Sequence, residues 1–205
     1  MESKKINKIL IVDFGSQVTQ LIARQVRELG VYCEIINFKK FNKSKSLNQN
    51  IKGIILSGGP KSTLSKSAPN IKWKLFLNKL PILGICYGHQ LVSNICGGKI
   101  KYSNKKEFGS AILYQKKKSI LTDGFFKNKK NTVWMSHSDS VTIKPKNFNV
   151  IASSKNSKFA MLENIAKKIY TTQFHPEVFH TRNGKKLFSN FLFKICQIQK
   201  NWTEK

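Results

Sequence analysis

The sequence predicts an α/β protein with an open, mostly parallel sheet flanked by helices and a smaller antiparallel strand region in its second half. In the first half, short and nearly continuous apolar runs alternate with segments whose apolar residues recur at helical spacing. This order of strand and helix is typical of a parallel sheet, whose strands are buried on both faces. Beyond Lys99 the pattern changes to short alternating segments with turns between them, which indicates antiparallel strands.

The first half contains four apolar runs that we interpret as strands, at residues 8–12, 31–37, 53–56 and 82–85. Helical spacing of apolar residues predicts helices at residues 18–29, 71–80 and 91–95. Gly30 follows the first of these helices and Gly97-Gly98 follows the last, and glycine is a common residue at helix ends. Residues 39–50 are rich in Lys, Ser and Asn and predict a solvated loop.

The second half predicts strands at residues 111–114, 132–135, 150–152, 159–163 and 169–174. We expect the last two of these strands to form a hairpin. An amphipathic helix then closes the chain, and its apolar face carries Leu187, Phe191, Ile195 and Ile198.

Length and composition suit one compact domain. The chain has 205 residues, of which 40% are hydrophobic, so it can bury a substantial core. We expect one domain over residues 1–200, with residues 201–205 as a tail or the start of a linker. No run approaches the roughly 20 apolar residues of a membrane helix, and no signal peptide is recognisable, so we expect a cytoplasmic protein without membrane contact.

The formal net charge of +27 raises the question of nucleic-acid binding. Three of the 37 basic residues are arginines, so the other 34 are lysines, and they are scattered over the whole chain. Abundant Lys, Asn, Ile and Phe together are typical of an AT-rich genome. Nucleic-acid-binding proteins cluster their arginines and stacking aromatics, which this chain does not. We therefore expect no specific nucleic-acid partner, and a non-catalytic basic binding module remains the less favoured hypothesis.

The strongest chemical signal is the segment Gly84-Ile85-Cys86-Tyr87-Gly88, where a predicted buried strand meets a helix. A glycine–x–nucleophile–x–glycine pattern forms a sharp turn that lifts the central side chain clear of the sheet. The helix N-terminus beyond it favours a thiolate. Cys33, Cys96 and Cys196 lack such a motif, and no cysteine spacing indicates zinc or a disulfide framework. Cys86 is therefore the candidate nucleophile.

A thiol nucleophile needs a base, and His175 is the best candidate among four histidines. It ends a predicted strand in Phe174-His175-Pro176-Glu177, with a carboxylate two residues further on. Side chains two apart on a strand project to one face, so Glu177 can hold the imidazole as the third member of a triad. His137 falls in a predicted loop after a strand. His89 more plausibly packs its helix.

Hydrolysis of an amide also needs donors for the oxyanion. The N–H of Tyr87, directly after the nucleophile, is one candidate by geometry. A second could come from Gly58-Gly59, at the end of the neighbouring strand. No phosphate-binding loop of the Walker or dinucleotide type occurs in the chain.

Residues 84–90 (GICYGHQ) together with residues 174–177 (FHPE) resemble the class I, or triad, glutamine amidotransferases. More narrowly, several segments resemble the amidotransferase domains of GMP synthetases, over essentially the whole chain. These segments are residues 11–17 (IVDFGSQ), 27–34 (RELGVYCE), 54–60 (IILSGGP), 135–137 (MSH) and 173–178 (QFHPEV).

The resemblance implies a glutaminase with Cys86 as nucleophile, His175 as base and Glu177 as orienting residue. It implies Gly59 and Tyr87 N–H groups as the oxyanion hole, and it implies that Gln90, Ser136 and His137 help to hold glutamine. The expected partner is an ATP pyrophosphatase domain or subunit that uses the ammonia to convert xanthosine monophosphate to GMP. The chain itself should need no cofactor, because ATP and Mg²⁺ belong to that partner.

Two segments depart from the family pattern. Tyr170-Thr171-Thr172 stands where the family usually has Tyr-Gly-Val, and Ser138-Asp139 stands where it usually has Gly-Asp. Neither segment includes a triad residue. An amidotransferase that serves anthranilate, carbamoyl phosphate or CTP synthesis remains an alternative, although the Asp13-to-Gln17 segment favours GMP synthesis.

Overall fold

The computed structural model of the chain describes residues 6–44, 47–73 and 76–203. Its strands are β1 Lys8–Asp13, β2 Cys33–Asn37, β3 Ile51–Leu56, β4 Ile82–Ile85, β5 Lys99–Gln115, β6 Lys130–Ile143, β7 Asn149–Ser153, β8 Met161–Asn164 and β9 Ile169–Thr172. They form one sheet in the order β2-β1-β3-β4-β9-β8-β7-β5-β6.

Strand β9 divides the sheet into two parts. From β2 to β9 every neighbouring pair is parallel, which we call the parallel part. From β9 through β8, β7 and β5 to β6 every pair is antiparallel, which we call the antiparallel part. This is the predicted α/β architecture, and β8 and β9 form the predicted hairpin.

Helices cover both faces of the parallel part. They are α1 Thr19–Glu28, α2 Phe38–Lys43, α3 Tyr87–Ile95 and α4 Gly184–Ser189, and α4 continues into a π-helical segment, Asn190–Ile195. Alternate residues of a strand face opposite sides, so Ile9 and Ile11 join a core with α1 and α4. Leu10 and Val12 join a second core, to which Leu91 of α3 belongs.

Two helix assignments from the sequence are wrong. The predicted loop at residues 39–50 includes most of α2, which begins after Asn37 accepts a hydrogen bond from the Lys39 N–H and so caps the helix. The predicted helix at residues 71–80 is a series of turns in its described part, because Asn78 has a left-handed φ of 64°. Residues 74–75 and 45–46 lie outside the described residues.

Strands β5 and β6 are much longer than the sequence predicts, whereas β8 and β9 are shorter than the predicted 159–163 and 169–174. Strand β5 extends the predicted 111–114 over seventeen residues, and β6 extends the predicted 132–135 over fourteen. His137 therefore lies within β6 and not in a loop. The pairing of β5 with β6 shifts register between Tyr102 and Glu107, so that residues 103–106 of β5 stand opposite Ser138 alone.

The C-terminal residues in the described range lie against the start of the sheet. The Asn201 side chain accepts a hydrogen bond from the Tyr32 N–H and donates one to the Asn7 carbonyl, and Trp202 packs against Tyr32. The boundary at residue 200 stays a prediction. Among the described helices, none combines the length and the apolar character that crossing a bilayer requires.

Candidate active site

Cys86 lies at a sharp turn between β4 and α3. Its backbone has φ 52° and ψ −101°, a conformation that costs energy for any residue with a Cβ. The flanking glycines permit the turn. A Cβ on Gly84 would lie 2.7 Å from the Gly88 carbonyl oxygen, and a Cβ on Gly88 would overlap the Leu56 carbonyl. The motif thus forms the strand-to-helix elbow that the sequence predicts.

His175 and Glu177 follow β9 and meet each other directly. The Nδ1 atom of His175 lies 2.7 Å from Oε1 of Glu177, and both residues are buried. The Trp134 carbonyl accepts a hydrogen bond from the His175 N–H, and the Thr181 hydroxyl donates one to the His175 carbonyl. These backbone contacts to β6 and to the following loop fix the position of the imidazole.

The surroundings of His175 favour its cationic form. Burial alone would lower the pKa of His175, but hydrogen bonds and charges from Cys86 and Glu177 outweigh burial and raise the pKa to about 11. Cys86 and His175 also line one cleft together. The three side chains form a Cys–His–Glu arrangement.

The Gly58-Gly59 segment lies beside this arrangement. A Cβ on Gly58 would lie 3.1 Å from Cε1 of His175 and 3.7 Å from Cβ of Cys86. Within the described ranges, the backbone N–H groups of Gly59 and Tyr87 have no hydrogen-bond acceptor. Two free donors near a sulphur nucleophile are suited to an oxyanion.

Two clefts meet at Cys86. The first has a volume of about 410 Å³ and lies between the loop after β1 and the Trp134 side of β6. The second has a volume of about 380 Å³ and lies beside α3 and residues 136–139. Gly59, Pro60, Cys86 and Ser136 line both clefts. Cys86 can therefore be reached from both clefts.

The predicted glutamine-binding residues line the second cleft. The Gln90 side chain donates to the Asp139 carbonyl at 2.9 Å, and the Ser136 carbonyl lies 3.6 Å from Sγ of Cys86. Burial alternates along β6, so the exposed Ser136 faces away from the buried His137. The ring of His137 bonds to the Asp139 carbonyl and to Glu107, so both of its nitrogens already have partners.

Sequence reasoning missed several residues of the site. Gln173 is fully buried, and its amide Nε2 lies 3.8 Å from Sγ of Cys86. Asp139 lines the second cleft, and its Oδ1 is buried without a hydrogen-bond partner among the described residues. Asp13 accepts hydrogen bonds from the Gly15 N–H and the Thr19 hydroxyl and so shapes the loop that lines the first cleft. These residues stand in the quoted motifs, but no spacing rule marks their contacts.

The departure at Thr171 has a structural consequence. Nδ1 of the fully buried His89 lies 2.8 Å from the Thr171 hydroxyl. Burial, together with the charge of nearby His137, lowers the pKa of His89 to about 3. His89 is thus a neutral residue of the interior.

No group of three or more metal-ligating side chains occurs in the part of the chain that the structure describes.

Comparison with known proteins places this fold and site in one family. The family model described as glutamine amidotransferase class-I matches residues 10–195. Curated relatives include proteins named GMP synthase [glutamine-hydrolyzing] from Sinorhizobium fredii, 48% identical over 197 residues, and Clostridium kluyveri, 46% identical over 195 residues. Each match covers 95% of this chain and 38% of the relative, so the chain spans well under half the length of these relatives.

A solved structure of a putative GMP synthase subunit from Thermoplasma acidophilum is also similar. Its TM-score is 0.77 at 31% identity, and the match covers 95% of this chain and 96% of the other. A structure of PurLQS from Thermotoga maritima shares the fold, with a TM-score of 0.72 at 19% identity. The chain belongs to the class I glutamine amidotransferase family.

Proposed function

We propose that the chain hydrolyses the side-chain amide of glutamine and delivers the ammonia to a synthetase that makes GMP. The observation that carries the proposal is the elbow cysteine beside a buried histidine that is bonded to a carboxylate, with two free N–H donors next to it. Family membership and the names of the relatives support the choice of glutamine and of GMP synthesis.

The proposed reaction has two halves. His175 takes the thiol proton, the Cys86 sulphur attacks the amide carbon, and the N–H groups of Gly59 and Tyr87 hold the oxyanion. His175 then protonates the nitrogen, the C–N bond breaks, and ammonia leaves a γ-glutamyl thioester. Water, deprotonated by His175, attacks the thioester and releases glutamate and the free thiol. Glu177 orients the imidazole and stabilises its cation.

The second cleft suits the amino acid portion of glutamine. Asp139 lines this cleft, and its carboxylate favours a nearby ammonium group. Gln90 and the backbone of Ser136 and His137 line the same cleft. A substrate amide that enters from this cleft reaches Cys86 with the first cleft open on the opposite side, through which ammonia can leave.

The synthetase expected as partner is an ATP pyrophosphatase domain or subunit that binds ATP, Mg²⁺ and xanthosine monophosphate. The lengths of the relatives support it, since this chain matches 38% of them and the remainder is available for such a domain. We expect the protein to act in the cytoplasm, and we expect neither a membrane nor a specific nucleic acid as partner.

The test is glutamine hydrolysis by the chain and its Cys86→Ala and Cys86→Ser variants, with and without the synthetase portion of a relative. We expect both variants to lose hydrolysis while keeping the circular dichroism spectrum of the parent, because no other nucleophile is available in the proposed mechanism. Adding the synthetase, ATP and xanthosine monophosphate to the parent should yield GMP from glutamine.

The other three cysteines are built-in controls. Burial raises the pKa of the thiols of Cys33, Cys96 and Cys196, so a glutamine-analogue electrophile such as diazo-oxo-norleucine should label Cys86 alone. Mass spectrometry locates the label. Modification of another cysteine while Cys86 stays free would show that the nucleophile is assigned wrongly.

A further inference from the structure

Glu107 of β5 is a buried carboxylate that the proposed reaction does not use. It stands directly opposite His137 of β6 in the strand register, and the two residues are 7% and 5% exposed. Oε2 of Glu107 lies 3.2 Å from Nε2 of His137. The Ser154 hydroxyl donates to the same carboxylate, at 2.8 Å from Oε1, and Ser154 is itself held by the Ser157 N–H.

The hydrogen-bond partners of His137 determine where its protons lie. Nδ1 of His137 is 2.9 Å from the Asp139 carbonyl, which can only accept, so Nδ1 carries a proton. A neutral ring would then present a lone pair at Nε2 to the Glu107 carboxylate. A hydrogen bond at that position needs a second proton, shared between Nε2 and the carboxylate. Glu107 at Nε2 and the Asp139 carbonyl at Nδ1 thereby hold the ring at both nitrogens.

This pair lies beside an irregularity in the pairing of β5 with β6. Residues 103–106 of β5 stand opposite Ser138 alone, so regular pairing is interrupted beside Ser138. The same Asp139 carbonyl also accepts from the Gln90 amide at 2.9 Å, and Gln90 donates to Gln173 at 3.2 Å. Gln173 in turn reaches the Cys86 sulphur. A continuous chain of buried polar groups therefore links Glu107 to the nucleophile.

We propose that Glu107 is a positioning residue for glutamine: through His137 it fixes residues 136–139, the wall of the second cleft, where the strand ladder does not. This inference rests on the proposed function. Glu107 touches neither the substrate nor the reacting atoms, so its loss should weaken glutamine binding and leave bond cleavage largely intact.

Two substitutions separate hydrogen bonding from volume. Glu107→Met keeps the length of the side chain and removes both hydrogen bonds, so we expect KM for glutamine to rise about tenfold with kcat within about threefold of the parent. Glu107→Gln can donate to Nε2 of His137 and accept from Ser154, so its KM should stay within about threefold of the parent. Ser154→Ala, which removes one bond to the carboxylate, should raise KM by about threefold.

Glu163 is the matched control. It is also a fully buried strand carboxylate bonded by a serine, with Ser119 Oγ 2.7 Å from Oε2, and it lines neither cleft. Glu163→Met should leave KM for glutamine unchanged, even if it lowers the stability of the fold. Alkylation of Cys86 by iodoacetamide, which needs no glutamine site, should proceed alike in the parent and Glu107→Met, while labelling by diazo-oxo-norleucine should slow about tenfold in the variant.

The outcomes distinguish this inference from the proposed function. If the parent neither hydrolyses glutamine nor is labelled at Cys86, the proposed function itself is wrong. If the parent is active and Glu107→Met has the KM and the labelling rate of the parent, or loses kcat alone, Glu107 does not position the cleft. If Glu107→Met fails to fold, an unchanged KM in Ser154→Ala overturns the inference, and a raised one upholds it.

Discussion

The parallel and antiparallel parts of the sheet contribute different things to the candidate site. The parallel part supplies Cys86 after β4 and His175 after β9, together with the Gly58-Gly59 backbone after β3. The antiparallel part supplies residues 136–139 of β6, which line the second cleft. We propose that bond cleavage belongs to the first part and substrate recognition to the second.

The two parts also differ in what fixes their geometry. At the elbow, backbone atoms approach so closely that Gly84 and Gly88 leave no room for a Cβ. In β5, by contrast, a Cβ on Gly109 would meet nothing within 4 Å, and beside the irregular pairing of β5 with β6 a side-chain bond joins Glu107 to His137. Steric exclusion therefore fixes the position of Cys86. We propose that a polar network fixes residues 136–139, the wall of the second cleft.

The largest expected effect tests this division at the triad. His175→Ala should lower kcat by about 10⁴-fold or more with little change in KM, because the base acts only as bonds change. Glu177→Gln should lower kcat less, by about ten- to thousandfold, since an amide can orient the ring without stabilising its cation. Steady-state glutaminase assays measure both.

Variants at residues 136–139 provide the comparison with the antiparallel part. They should raise KM for glutamine more than they lower kcat. A Glu177→Gln variant with full activity would contradict the orienting role. The same assay would contradict the division between the two parts if His175→Ala changed KM alone.

The parallel part could be predicted from sequence more completely than the antiparallel part. Strands buried on both faces are continuous apolar runs, so β1 and β4 stand within one residue of their predicted bounds. The elbow could be predicted because a tight turn demands glycine at fixed spacing. Strands β5 and β6 have one solvated face, and their lysines and serines conceal most of their length.

The contacts within the site could be predicted only in part. The spacing of His175 and Glu177 in one strand end gives their contact directly, because residues two apart share a face. Gln173 and Glu107 reach the site only through the order of the strands in the sheet. That order brings Gln173 to Cys86, 87 positions away in sequence, and Glu107 to His137, 30 positions away. No local pattern contains that information.

The second effect compares glycines of the two parts. Gly88→Ala should lower the free energy of unfolding by about 3 kcal/mol or more, because its Cβ meets backbone that cannot move aside. Gly109→Ala adds a Cβ in open space and costs only the strain of its φ of +98°, about 1 kcal/mol. Urea unfolding of both variants measures the difference. Equal losses would show that close backbone packing does not distinguish the elbow.

The last prediction is a dependence on pH and concerns His89, which lies on α3 but bonds to Thr171 of β9. Its folded-state pKa of about 3 lies below the ordinary value of 6.5. Between these two pH values the unfolded chain binds a proton at His89 and the folded chain does not. The contribution of His89 to stability is therefore complete above pH 6.5 and is lost as pH falls toward 3. We expect urea unfolding to show a loss of up to about 1.4 kcal/mol per pH unit over this range, and a weaker one in His89→Asn. The same substitution at the exposed His180 is the control. If His89→Asn kept the full acid sensitivity of the parent, the titrating group would lie elsewhere, and the contact of α3 with β9 would not depend on a neutral His89.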